Sequence, residues 1–176
     1  MSGVGQIEKA TQRRVVELFR TSLGYEYLGD WTDREDNSNI EQSYLRAFLK
    51  KQGHDEQLIN RTLRAFEKSV GDTSKHLYDR NREVYEHLRY GVKVRLEAGD
   101  NMQTVWLIDW KNPENNHFAI AEEVTVNAID RRAHDKRPDI VLYVNGIALG
   151  VLELKRSTVS VAEGIRQNLD NQKQVF

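Results

Sequence analysis

The sequence predicts an α/β fold, with helices in its first half and then a mainly antiparallel central sheet flanked by helices. Apolar residues recur at helical spacing as far as Tyr90. After Gly91 they alternate as in strands, and residues 137–156 (RPDIVLYVNGIALGVLELKR) form two apolar runs around an Asn-Gly turn. A further helical pattern covers Val161–Gln174. These observations together indicate one layer of sheet with helices packed on it.

Four helical segments are predicted before residue 91. The last one begins at Asp72 or Thr73, because both residue types are good N-caps. We expect Leu77, Val84 and Leu88 to form the apolar stripe of that helix. The four segments are Ile7–Leu23, Glu41–Lys51, Asp55–Ser69 and residues 73–90.

The strands of the second half differ in pattern. Val92–Leu96 alternates with charged residues, which is typical of a half-exposed strand. The two runs within residues 137–156 are apolar at nearly every position, as in strands covered on both faces. No closing strand follows the last helix, so either the sheet is complete without one or the chain is a fragment of something longer. The other predicted strands are Tyr25–Leu28, Thr104–Trp110 and Phe118–Val126.

Length and composition set the class of protein. The 176 residues suit a single domain, with a helical part over residues 1–90 that includes an insertion near 41–69, and a sheet core over 91–176. The chain has no cysteine, no signal-peptide pattern and no apolar run long enough to span a bilayer. We therefore expect a soluble, cytoplasmic protein without a membrane partner.

The charge of the chain is balanced overall but uneven locally. Its net charge of −1, with 30% charged residues, excludes a strongly basic protein that coats nucleic acid. Basic residues nevertheless crowd ahead of Asp139, and such a rim beside an acidic pocket admits a polyanion. These basic residues are Arg131, Arg132, Lys136 and Arg137.

Three polar residues interrupt the apolar hairpin. Asp139 lies at the entry of its first strand, and Glu153 and Lys155 lie at the exit of its second. Placing charged groups at such positions costs free energy, so their presence there indicates a functional role. Two carboxylates suit Mg²⁺, with the main-chain oxygen of Leu154 as a third ligand, and a lysine beside them orients a water for phosphodiester hydrolysis.

The register of the hairpin decides whether the acids cooperate. A two-residue loop at Asn145 and Gly146 pairs Val144 with Ile147 and places Asp139 and Glu153 on opposite faces. A three-residue loop, or a bulge of equal effect, places the two acids directly across from each other, with Cβ atoms about 5 Å apart. We predict the second arrangement.

Pro138-Asp139 followed by Glu153-Leu154-Lys155 resembles the PD-(D/E)xK nuclease motif. The wider chain, from about Ile7 to Phe176, is similar to the N-terminal nuclease domain of the R (endonuclease and motor) subunits of type I restriction enzymes. The stretches that carry the likeness are the region of Asn81, Leu88–Val92, Leu107–Asp109, Asn112–Asn116, Phe118, Arg137–Val141, Asn145–Gly146 and Leu152–Lys155.

The resemblance implies a catalytic triplet of Asp139, Glu153 and Lys155. It adds Glu8, because the first helix of this nuclease fold often offers a carboxylate to the site. It also adds Gln167, the first residue of a Gln-x-x-x-Tyr pattern whose tyrosine is replaced here by Asn171. The sequence has Glu122 and Glu123 where we expect Asn-Gln-like residues, and we leave that pair out of the site as edge-strand charges.

The resemblance further implies a Mg²⁺-dependent endonuclease (Mn²⁺ as substitute) that cuts double-stranded DNA. Its partners would be a methyltransferase subunit, a sequence-reading specificity subunit and a motor domain. The chain has no phosphate-binding loop and therefore no ATP site of its own. Two alternatives stay open: a free-standing resolvase or repair nuclease of the same fold, and a non-catalytic docking module.

Overall fold

The computed structural model describes residues 4–125, 137–154, 165–166 and 169–170, with side chains from residue 9 onward. The mixed α/β class and the mainly antiparallel sheet are confirmed. Along the chain the elements are α1 (Val4–Thr21), β1 (Glu26–Asp30), α2 (Gln42–Lys51), α3 (Glu56–Val70), α4 (Leu77–Tyr90), β2 (Val92–Val94), β3 (Gln103–Val105), a 3₁₀ turn (Pro113–Asn115), β4 (Phe118–Glu122), β5 (Ile140–Val144) and β6 (Ile147–Leu152).

The chain divides into two compact units. One comprises Met1–Asn39 and Phe118–Phe176, and the other comprises Ile40–His117. The first unit contains α1 and a four-stranded sheet of order β1-β4-β5-β6. Strands β1 and β4 run parallel, and the other two neighbouring pairs are antiparallel. The single domain over residues 1–176 stays a prediction.

Apolar clusters cover both faces of the four-stranded sheet. The predicted coverage on both faces is confirmed for β5, but β6 lies at the edge of the sheet and is mostly half-buried. On one face Ile120 and Ile140 pack against Val16 of α1. On the other face Ala121 and Tyr143 pack against the indole of Trp31. Alternate residues of β4 and β5 therefore point to opposite clusters, which is the reason both strands read as continuous apolar runs.

In the second unit, the start of helix α4 differs from the prediction. Helix α4 begins at Leu77, with His76 at its N-cap, because the Asp72 carboxylate closes a turn onto the backbone N–H of Ser74 instead. No residue of α4 is fully buried, so the predicted stripe of that helix is only half-buried. Helix α3 provides the buried side chains of this helix pair, among them Ile59 and Phe66.

The strand predicted over Thr104–Trp110 ends at Val105. Further along, the carboxylate of Asp109 accepts hydrogen bonds from the side-chain amide of Asn115 and from the backbone N–H groups of Lys111 and Asn112. These bonds lower the pKa of Asp109 and close a turn in place of a strand. The Asp109–Asn115 stretch of the predicted family pattern is thus a turn-forming segment.

The remaining boundaries follow the sequence closely. Strand β4 begins at the predicted residue but ends at Glu122 rather than Val126. Of the helix predicted over residues 161–174, the four described residues are helical. Within the described part of the chain, no helix has the length and apolarity to cross a membrane.

Candidate active site

The β5–β6 hairpin has a two-residue turn followed by a bulge. Asn145 and Gly146 have φ angles of 52° and 80°, and the turn pairs Val144 with Ile147. The pairing then shifts by one residue beyond Tyr143, so that Ile140 lies opposite Leu152. The three-residue loop is therefore wrong, and the bulge of equal effect is confirmed.

The bulge brings the two predicted carboxylates together. Continued by one residue, the register of Ile140 and Leu152 places Asp139 opposite Glu153. Leu152 and Leu154 both pack in the cluster beneath α1, so Glu153 between them faces the other side of the sheet. Asp139 shares that side, since its neighbour Ile140 also packs toward α1. If the register of Val144 and Ile147 continued along the strands without a bulge, Asp139 would lie opposite Leu152.

Asp139 is held through both its side chain and its main chain. Its Oδ2 accepts a hydrogen bond of 2.5 Å from the backbone N–H of Leu154, across the strand ends. Its carbonyl oxygen accepts another, of 3.0 Å, from the backbone N–H of Glu123. A carboxylate bound at one oxygen in this way has a defined direction for the other. The half-buried Asp139 is therefore fixed at one carboxylate oxygen and at its carbonyl oxygen.

Glu123, which we left out of the site, lies beside Asp139. It follows β4 with a left-handed φ of 52°, and its Oε2 lies 2.9 Å from Nε of Arg137. Its Oε1 accepts a hydrogen bond from the side-chain amide of the buried Gln12. Gln12 and Glu123 are 111 residues apart, so no local pattern in the sequence indicates this contact.

The neighbouring Glu122 serves a different contact. Its Oε2 accepts a hydrogen bond of 2.6 Å from the phenol of Tyr27 on β1, on the face packed by α1. Burial raises the pKa of Tyr27 to about 12, and the bond to Glu122 adds to the effect. Glu122 therefore has a partner within the sheet and is not an edge charge.

Replacement of Tyr27 by phenylalanine tests this contact through pH. The protonated phenol is favoured in the folded state, so wild type loses stability as pH rises from about 10 to about 12. We expect Tyr27→Phe to lack this loss, which denaturant unfolding at pH 8 and pH 11 will measure. Tyr78→Phe, at a 75% exposed position, is the matched control. Parallel pH profiles for wild type and Tyr27→Phe would contradict the assignment.

The carboxylate pair has the chemistry of a small hard cation site. Magnesium in proteins is held by one or two carboxylates, with waters and substrate phosphate completing its shell. Asp139, Glu153 and the main-chain oxygen of Leu154 match that donor set. Among the described residues there is no cluster of three or more acidic, histidine or cysteine side chains suited to a metal. Two carboxylates do not complete the shell of such a cation, so further oxygen donors would have to join them.

Several predicted site residues lie outside the described residues: Lys155, Gln167, Asn171 and the basic residues at 131, 132 and 136. Glu8 lies in α1, one turn before Gln12, but its side chain is not among those described. The catalytic roles of Asp139, Glu153, Lys155, Glu8 and Gln167, and the metal ligands, stay predictions.

Comparison with known proteins identifies the chain. The family described as the type I restriction enzyme R protein N terminus matches residues 5–176. The chain belongs to this family. The resemblance inferred from the hairpin and its neighbouring stretches is confirmed for nearly the whole sequence.

Two relatives of this R protein N-terminal chain are named as endonuclease subunits of type I restriction enzymes. It is 27% identical over 169 residues to the type I restriction enzyme HindI endonuclease subunit of Haemophilus influenzae, covering 88% of the chain and 15% of that subunit. It is 33% identical over 78 residues to a protein of Methanocaldococcus jannaschii named as the MjaIXP endonuclease subunit, covering 43% of the chain and 8% of that protein. The chain thus spans a small part of the length of these relatives.

Proposed function

We propose that this chain is the Mg²⁺-dependent endonuclease part of a type I restriction enzyme, cleaving phosphodiester bonds of double-stranded DNA. The observation that carries the proposal is the bulged register, which sets Asp139 across from Glu153 on one face of the sheet. Membership of the R protein N-terminal family supports it, because relatives are named endonuclease subunits.

In this proposal, each residue of the site has its own role. Asp139 and Glu153 hold the cation, with Leu154 contributing its main-chain oxygen. A bound Mg²⁺ neutralises phosphate charge and lowers the pKa of its water. Lys155 orients the attacking water and stabilises the charge that develops on the phosphate. Glu8 would offer a further carboxylate to the site, and Gln167 would be a further catalytic residue.

Sequence specificity and ATP-driven translocation come from elements outside this chain. No P-loop sequence is present in these 176 residues. The balanced net charge of −1 also favours weak, non-specific contact with DNA by the chain alone. We therefore assign the reading of the target to a specificity subunit, acting with a methyltransferase subunit and a motor domain, in the cytoplasm.

Replacement of Lys155 by alanine tests the proposal. We expect it to lower the rate of plasmid cleavage with Mg²⁺ or Mn²⁺ by about a hundredfold or more, since electrostatic stabilisation of a transition state has that size. Lys111→Ala, at an exposed lysine of the other unit, is the matched control. The assay uses the chain alone and the complete R subunit.

Two outcomes would contradict the proposal. Cleavage by Lys155→Ala at the wild-type rate in the complete R subunit would support a non-catalytic docking module. Preference of the isolated chain for branched over linear duplex would support a free-standing resolvase.

A further inference from the structure

Three side chains connect helix α1 to the main chain of Asp139. Gln12 of α1 donates from its Nε2 to Glu123 Oε1 at 3.2 Å and to the Asp139 carbonyl oxygen at 3.4 Å. Arg137, two residues before Asp139, pairs with the other oxygen of Glu123. The Glu123 carboxylate therefore bridges α1 and the segment that enters β5, with one oxygen for each.

The conformation of Glu123 supports a specific role for this bridge. A non-glycine residue in the left-handed region costs about 1 kcal/mol and persists only where its surroundings impose it. Here the backbone N–H of Glu123 bonds to the Asp139 carbonyl while its carboxylate turns to Gln12 and Arg137. Glu123 therefore holds both ends of the 137–139 segment: it binds Asp139 through its backbone N–H and Arg137 through its carboxylate.

Gln12 is the buried member of the group. Its side chain is 8% exposed, and a polar amide at that depth needs partners. The two hydrogen bonds that Gln12 Nε2 donates go to Glu123 Oε1 and to the Asp139 carbonyl oxygen, which are themselves parts of the same group. On the opposite side, Leu154 N–H fixes Asp139 Oδ2. Asp139 is therefore held from α1, from the end of β4 and from the end of β6.

We infer that Gln12 and Glu123, with Arg137, are positioning residues that set the Asp139 carboxylate opposite Glu153. The inference rests on the proposed function for its catalytic consequence, but its structural content is independent of it. Glu123 acts through the main chain of Asp139 and through Arg137, and it does not bind the cation.

Amide exchange at Leu154 reads out the positioning directly. In Gln12→Ala and in Glu123→Ala of the 176-residue chain, we expect the Leu154 N–H to exchange about tenfold faster, while the amides of Leu142 and Tyr143 keep their protection. Arg13→Ala, at an exposed site on α1, is the control. Unchanged exchange at Leu154 in both variants overturns the inference, whatever the cleavage rates.

Metal affinity gives a second readout. Removing a group that orients a metal ligand weakens binding by about 10–100-fold. We therefore expect the Mn²⁺ dissociation constant, from calorimetric titration, to rise about tenfold in Gln12→Ala. An unchanged constant contradicts the inference. Mn²⁺ binding with wild-type affinity in Asp139→Asn contradicts instead the proposed site, so the two failures are distinguishable.

A charge exchange separates positioning from direct binding of the cation. Glu123→Arg alone and Arg137→Glu alone place like charges together and should weaken Mn²⁺ binding. The double variant restores the ion pair at exchanged positions and should recover the part of the affinity that depends on the pair rather than on the bonds from Gln12. An affinity of the double variant no higher than that of either single variant would show that the ion pair does not position Asp139.

Discussion

Asp139→Asn should reduce Mg²⁺-dependent cleavage by about a thousandfold, because the loss of one of two metal carboxylates removes several kcal/mol of charge stabilisation. The amide oxygen of asparagine can still accept from the Leu154 N–H, so the bond that links the ends of β5 and β6 persists. The variant therefore separates loss of charge from loss of fold. Plasmid nicking over a Mg²⁺ series, with thermal unfolding in parallel, measures both.

The matched control is Asp33→Asn, at an exposed aspartate in the same unit, which should cleave at the wild-type rate. Excess Mn²⁺ should recover part of the activity of Asp139→Asn if the defect is in metal affinity. Wild-type cleavage by Asp139→Asn at limiting Mg²⁺ would rule out the carboxylate pair as the metal site.

Insertion of one alanine between Leu152 and Glu153 should abolish cleavage to the same degree. The inserted residue takes the position opposite Asp139, and Glu153 moves to the face that packs against α1. Every residue after the insertion moves with it. The hairpin itself keeps its turn and its apolar pairs, so the expected loss is one of function rather than of folding.

Deletion of Leu149 is the paired experiment. Ala148 pairs with Tyr143 and Gly150 with Leu142, so Leu149 is the extra residue of the bulge, and its side chain is 44% exposed. Removing it leaves Asp139 opposite Glu153 and should preserve cleavage. A deletion variant that is folded but inactive, or an insertion variant that is active, would show that the register does not assemble the site.

Local features of the sequence were sufficient for much of the architecture. Periodicity predicted α1, α2 and α3 and the two strands of the hairpin, because the spacing of apolar residues is a property of each segment alone. Asp139, Glu153 and Lys155 were also recognisable locally, because each is a charged residue at the end of an apolar segment. The Asp109 turn was missed, because its bonds to Lys111, Asn112 and Asn115 compete with a strand that alternation alone favours.

The sequence also did not predict how exposed helix α4 is. The predicted stripe of Leu77, Val84 and Leu88 has helical spacing, yet the helix buries none of these residues fully. A periodic pattern shows that one side of a helix is apolar. How deeply that side is covered depends on which elements pack against it, and that is decided by the whole unit.

The sequence by itself determined which residues are available for chemistry: two acids and a lysine at the open ends of an apolar hairpin, in a chain of the R protein N-terminal family. Only the tertiary structure decided that Asp139 and Glu153 face each other. The turn allows two registers, and the bulged one is selected by side chains that pack on both faces, with Leu142 closely over Gly150 and Tyr143 against Trp31. Register and long-range bonds depend on residues distant in the chain, so no local pattern contains them.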